Sequence, residues 1–227
     1  MQIALFEGVS GVGKTSLLSH IKKKINLHNN SKFTQLFYSE HMTERIFEPA
    51  FHGGLLRSDQ VKYHLISIIA HLEGMSIAYA QSPFSDSSKP VCQAFIERFG
   101  ISHCLKQYLT EEDLNTVFQK FPRLHNTVTL FHLQLTKEKI SHNIQTSLVY
   151  RNQEWANYVQ SQGGVELIAD ELWSEQRQAT SLIEKIRPYV CVVSLDVSTL
   201  NYESLAEVVL EKMSKNCSRE NSMASSE

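Results

Sequence analysis

The 227-residue chain has few cysteines, almost no net charge and no long apolar run. Its four cysteines, Cys92, Cys104, Cys191 and Cys217, lie far apart, with no C-x-x-C pair. That excludes a disulfide framework and a zinc ribbon, and it fits reduced thiols. Lys plus Arg is 22 against 24 for Asp plus Glu, so the formal net charge is −2, with a sequence pI near 6.6. A chain this close to neutral is not built to coat nucleic acid. The most apolar stretch, His64 to Ala80, contains His71, Glu73 and Gly74, so it does not read as a membrane span. The histidines form no H-E-x-x-H and no tight His/Cys cluster, and no zinc site is expected. A chain of this length buries roughly 70% of its unfolded surface and needs neither disulfide nor metal to fold.

What is present is an alternation of two periods. Ile3 to Phe6, Phe33 to Tyr38, Val91 to Ile96, Thr127 to Leu133 and Tyr189 to Leu195 read as five strands. Helical spacing starts at Lys14, where Leu17, Leu18, Ile21 and Ile25 share a face and Lys22, Lys23 and Lys24 form a solvated one. It resumes at Gln60, after a T-x-x-D capping box at Thr110, near Thr136 and near Val165, with Gly163 and Gly164 as a break. Strands alternating with helices imply an α/β domain, a parallel sheet with helices on both faces, and ligands beyond the carboxyl ends of the strands. That domain is expected over residues 1–213, followed by a Ser-rich, polar, disordered tail at 214–227. The opening MQIALFEG runs into a glycine-rich motif by Gly8, leaving no room for a secretory leader, so a cytoplasmic location is expected.

That motif is the strongest chemical signal. Residues Gly8, Val9, Ser10, Gly11, Val12, Gly13, Lys14 and Thr15 fit G-x-x-x-x-G-K-[ST] at every fixed position, and Ser16 continues into the helix. Glycines let backbone N–H groups curl around a phosphate at a helix N-terminus. Lys14 supplies a point charge to the β and γ phosphates, and the Thr15 hydroxyl helps hold Mg²⁺. A chance match in a chain of this length is expected roughly once in a hundred. No N-K-x-D or D-x-x-G motif accompanies it, which argues against a GTPase.

A second cluster ends the third strand: Glu97, Arg98 and Phe99. An acid there can hold Mg²⁺ through water, and Arg98 can steady charge on a transferring phosphoryl group. The glycine motif GVSGVGKT, the strand ending in ERF and the later arginine-bearing segment LVYRNQEW together resemble the thymidylate kinase and deoxynucleoside kinase group of P-loop kinases. The resemblance spans roughly Gln2 to Leu195 in the order of elements, and only the glycine motif is highly specific. It implies a three-layer P-loop NTPase fold with a five-stranded parallel sheet in the order 2-3-1-4-5. It also implies a magnesium-shell role for Glu97, and a place near the reacting phosphoryl group for Arg98. Glu40, after the second strand, corresponds to the family's general base, although the Pro that follows it there is His41 here. Arg151 corresponds to a lid arginine, alone where the family has several. The base-reading arginine of thymidylate kinases has no counterpart in HLEGMSIAYA, and Arg45 and Arg57 are weakly placed substitutes for holding an acceptor phosphate. Trp155 reads as a packing anchor rather than a stacking platform.

The expected activity is therefore ATP- and Mg²⁺-dependent phosphoryl transfer to a nucleoside or nucleoside monophosphate. The alternative is an ATP-binding regulatory protein without kinase activity. The expected partners are ATP and a small-molecule acceptor, with no nucleic acid and no membrane. A homodimer stays open.

Overall fold

The five apolar runs pair side by side in a computed structural model that describes residues 1–27, 33–38, 58–81, 91–97, 109–121, 124–199 and 201–224. Strands β1 (Gln2–Glu7), β2 (Phe33–Tyr38), β3 (Val91–Glu97), β4 (Val128–Gln134) and β5 (Cys191–Asp196) form one sheet in the order β2-β3-β1-β4-β5. Every pairing is parallel, with Phe6 opposite Glu97 on one side of β1 and Glu7 opposite His132 on the other. The carboxyl ends of β1, β3 and β4 therefore lie side by side.

Central position explains the composition of β1. All six of its residues are buried, because both faces of the sheet are covered. Ile3 and Leu5 point to one face and pack with Leu65, Ile68 and Leu72 of α2 (Ser58–Ala80) and with Leu114 and Phe118 of α3 (Glu111–Phe118). Ala4 and Phe6 point to the other and meet Leu17 and Ile21 of α1 (Lys14–Leu27). A short helix, α4 (Leu124–Thr127), leads into β4. Beyond it, α5 (Lys137–Tyr150) and α8 (Tyr202–Ala224) contribute Ile140, Ile144, Leu205 and Val209 to the second face. The long helix α7 (Val165–Ile186) serves both, with Ile168 in one cluster and Ile183 in the other. The α/β class, the helices on both faces and the strand order agree with expectation.

Local signals act as the spacing predicts at several helix starts. At α3, the Thr110 hydroxyl accepts from the Asp113 N–H (3.1 Å) and the Asp113 carboxylate accepts from the Thr110 N–H (3.0 Å), closing the capping box. Two features differ. The helical stretch from Thr136 divides at Arg151, whose extended backbone (φ −86°, ψ 167°) ends α5. Asn152 then caps α6 (Gln153–Ser161) by accepting from the Trp155 N–H at 3.1 Å. A side-chain cap competes with continuation of the helix, and an apolar period alone does not register that competition. The second difference is Lys24, which is not part of a solvated face. It pairs with Glu203 (3.4 Å) and Glu207 (2.7 Å) on α8, because α8 lies along α1. The helical span of α8 continues past Ser214, where the composition turns polar and Ser-rich. Among the described residues, no helix is long and apolar enough to cross a membrane.

Candidate functional site

At the carboxyl end of β1 the chain turns through residues 8–13 and enters α1 at Lys14. Three glycines with positive φ, Gly8, Gly11 and Gly13, make that turn feasible, and two of them are closely packed. Gly8 has φ +154°, and a Cβ there would lie 2.9 Å from the Leu133 carbonyl oxygen. Gly13 has φ +99°, and a Cβ there would overlap the Tyr202 phenol. The loop thus packs against β4 on one side and α8 on the other.

Lys14 is buried at the loop's centre, and its ammonium donates to the carbonyls of Gly8 (3.0 Å) and Val9 (3.3 Å). Its side chain is folded over the loop that precedes it. The next residue, Thr15, donates its hydroxyl hydrogen to a carboxylate oxygen of Glu97. Glu97 is buried at the last position of β3. The two residues are 82 positions apart in sequence. They meet because β3 pairs with β1 in a register that brings Glu97 level with Phe6, just before the loop.

A cleft of about 450 Å³ opens over this loop. Its floor is Ser10, Gly11, Gly13, Lys14, Thr15 and Ser16, and Glu97 stands at its edge. The facing wall comes from α5 and α6. Asn143 reaches down from α5 and donates to the Gly11 carbonyl at 3.3 Å. Trp155 donates its indole N–H to the Ser147 hydroxyl (2.8 Å), which in turn donates to the Ile144 carbonyl (2.6 Å). The Arg151 guanidinium lies over the Trp155 ring, 4.8 Å from its centroid. From α8, Tyr202 closes the third side, stacked on His20 at 5.6 Å between ring centroids. Burial pushes the Tyr202 phenol above its ordinary pKa, with a hydrogen bond to Ser16 acting the other way.

A polar group lies beneath the sheet's opposite face. His132 is 1% exposed, and its Nδ1 lies 3.2 Å from the Gln134 amide nitrogen, which also donates to Thr180 at 3.0 Å. An amide nitrogen can only donate, so Nδ1 accepts and Nε2 carries the proton. Among the described residues, that Nε2 has no hydrogen-bond partner. Burial pushes the His132 pKa down to about 4, with the Glu184 carboxylate acting against it.

The site residues read from the sequence fall into three groups. Gly8, Val9, Ser10, Gly11, Val12, Gly13, Lys14, Thr15 and Ser16 form the loop and the first turn of α1, and Glu97 joins them. Arg151 reaches the same cleft but lies at its rim, against Trp155. Glu40 and Arg98 lie outside the described residues, as do Arg45 and Arg57. Trp155 combines two roles: it packs against the core and lines the cleft. Asn143, Tyr150 and Tyr202 line the cleft without any sequence motif to mark them. Only the helix start near Thr136 hinted that a wall would stand there.

No protein-family model matches the chain, and no curated protein matches it.

Proposed function

We propose that the chain is an ATP- and Mg²⁺-dependent phosphotransferase of P-loop kinase type, acting on a nucleoside or nucleoside monophosphate. The observation that carries this reading is the meeting of Thr15 with Glu97 beside the Lys14 ammonium. Together they set a hydroxyl, a carboxylate and a cation around one glycine loop at a helix N-terminus, the set that phosphoryl transfer uses.

The residues fit the groups they would hold. A hydroxyl oxygen and a carboxylate oxygen are hard donors suited to Mg²⁺, which is usually held by one or two protein ligands together with water and substrate phosphates. Among the described residues, no three His, Cys, Asp or Glu side chains gather as a self-sufficient metal site. A metal at Thr15 and Glu97 would accordingly be shared with a nucleotide, and when bound it would neutralise charge on the phosphates. Lys14 would exchange its bonds to the Gly8 and Val9 carbonyls for phosphate oxygens. Backbone N–H groups at the start of α1 would orient the phosphate chain, and the wall from α5 and α6 would limit water. Glu40 as general base and Arg98 as a charge stabiliser belong to the same proposal.

The second reading, an ATP-binding regulator without phosphotransfer, draws on Arg151. This lone lid arginine lies on an indole ring. Incubation with labelled ATP, Mg²⁺ and a panel of nucleosides and nucleoside monophosphates separates the two. Labelled product from one acceptor supports the kinase. ATP binding with no product from any acceptor would leave the regulator. Unchanged ATP affinity in Lys14→Ala would remove the basis of both.

A further inference from the structure

The geometry points to Tyr150 as the surface on which the base of the donor nucleotide stacks, an inference that rests on the phosphate-binding reading of the glycine loop. Sheet order supplies the direction. β1 feeds the loop from the centre of the sheet, and β3, which ends in Glu97, lies to one side of it. β4 and β5 lie to the other side, and they lead into α5 and α8. In-line phosphoryl transfer requires the attacking and leaving oxygens on opposite sides of the phosphorus. An acceptor approaching from the Glu97 side leaves the donor's sugar and base on the side of α5 and α8.

Three aromatic rings line the cleft there: Tyr150, Trp155 and Tyr202. Two are already packed. Trp155 carries Arg151 over its ring, stacks on Tyr158 at 5.6 Å between centroids, and is tied to Ser147 through its N–H. Tyr202 stacks on His20 and hydrogen-bonds Ser16. Tyr150 is different: it lines the cleft yet is 72% exposed, on the last turn of α5. A large exposed ring at the mouth of a cleft floored by the glycine loop is suited to a flat apolar ligand group. Its backbone is well anchored, since the next residue's N–H donates to the Ser147 carbonyl at 3.0 Å and Arg151 is held by Trp155. A ring on a rigid turn loses little freedom when a base settles on it. Stacking of this kind tolerates any base, because every base has a π-face.

The test compares a probe with a base and a probe without one. Binding of ATP and of inorganic tripolyphosphate, each with Mg²⁺, is measured by calorimetry on wild type, Tyr150→Ala, Tyr150→Phe and Lys14→Ala. The expected result is that Tyr150→Ala weakens ATP roughly 5- to 100-fold, the range for one base–aromatic stack. Tripolyphosphate affinity stays within about twofold, and Tyr150→Phe binds ATP like wild type. Several results would overturn the assignment: unchanged ATP affinity in Tyr150→Ala, equal losses for both probes, or Tyr150→Phe as weak as Tyr150→Ala. A failure of the underlying reading looks different. There, wild type binds neither probe, or Lys14→Ala binds tripolyphosphate as wild type does.

Discussion

His132 makes stability depend on pH in a window that this one side chain sets. Its folded pKa of about 4 lies below the ordinary value of 6.5, because a charged imidazole would lose its water in a 1%-exposed position. Between those two values the unfolded chain binds the proton and the folded chain does not. The folded state therefore loses stability as pH falls from 6.5 toward 4, and His132 has no further effect above 6.5. The gap corresponds to about 3 kcal/mol, or more than a hundredfold in the folding equilibrium. His132→Leu removes this titration. It also removes the Nε2–H that lacks an acceptor among the described residues, while Gln134 keeps its bond to Thr180. At pH 7 the variant is expected within about 1 kcal/mol of wild type or slightly above it, because an unpaired buried donor costs about 1–3 kcal/mol. Urea unfolding at half-unit steps from pH 4 to pH 8 gives both curves. The wild-type curve should fall about 3 kcal/mol further than the variant's below pH 6.5. Parallel curves would refute the claim that His132 is buried as the neutral ring.

Gly13→Ala places a Cβ at φ +99° against the Tyr202 phenol, so it should cost about 2 kcal/mol and abolish ATP binding. Adding Tyr202→Ala should recover part of the stability but not the backbone strain, as read by thermal unfolding. Gln176 is buried on α7 and accepts from the Leu135 N–H (3.0 Å) while donating to the Leu135 carbonyl (2.7 Å), standing in for a strand partner. Gln176→Leu should lower unfolding free energy by about 2–4 kcal/mol, since it strands two buried backbone groups. A loss under 1 kcal/mol would mean that water replaces the amide. Thr110→Ala breaks the capping box of α3 and should cost about 1 kcal/mol in the same assay, with ATP affinity unchanged.

Much of the fold was legible because its signals are local. Five apolar runs announced five strands, and the start of β2 agrees to the residue. The helix starts at Lys14, Thr110, Thr136 and Val165 were readable from a motif, caps or glycines that act within one turn. The break at Arg151 was not, because the apolar period runs on while the deciding event is one side-chain cap at Asn152. Strand order was implied by resemblance alone, since the spacing of apolar runs does not say that β3 inserts between β1 and β2.

The site divides in the same way. By itself the sequence determined the glycine loop, with Lys14 and Thr15, since its geometry is made by consecutive residues whose backbone freedom and side chains act on one another directly. Tertiary structure decided the rest. Whether Glu97 could reach Thr15 depended on a strand pairing across 82 residues, and whether Lys24 faced water depended on where α8 lay. The placing of Tyr150 and Trp155, from the consecutive helices α5 and α6, around one cleft with Tyr202 depended on α8, some fifty residues further along the chain. Such neighbours are chosen by the burial of whole faces, a collective quantity that no short window of sequence contains.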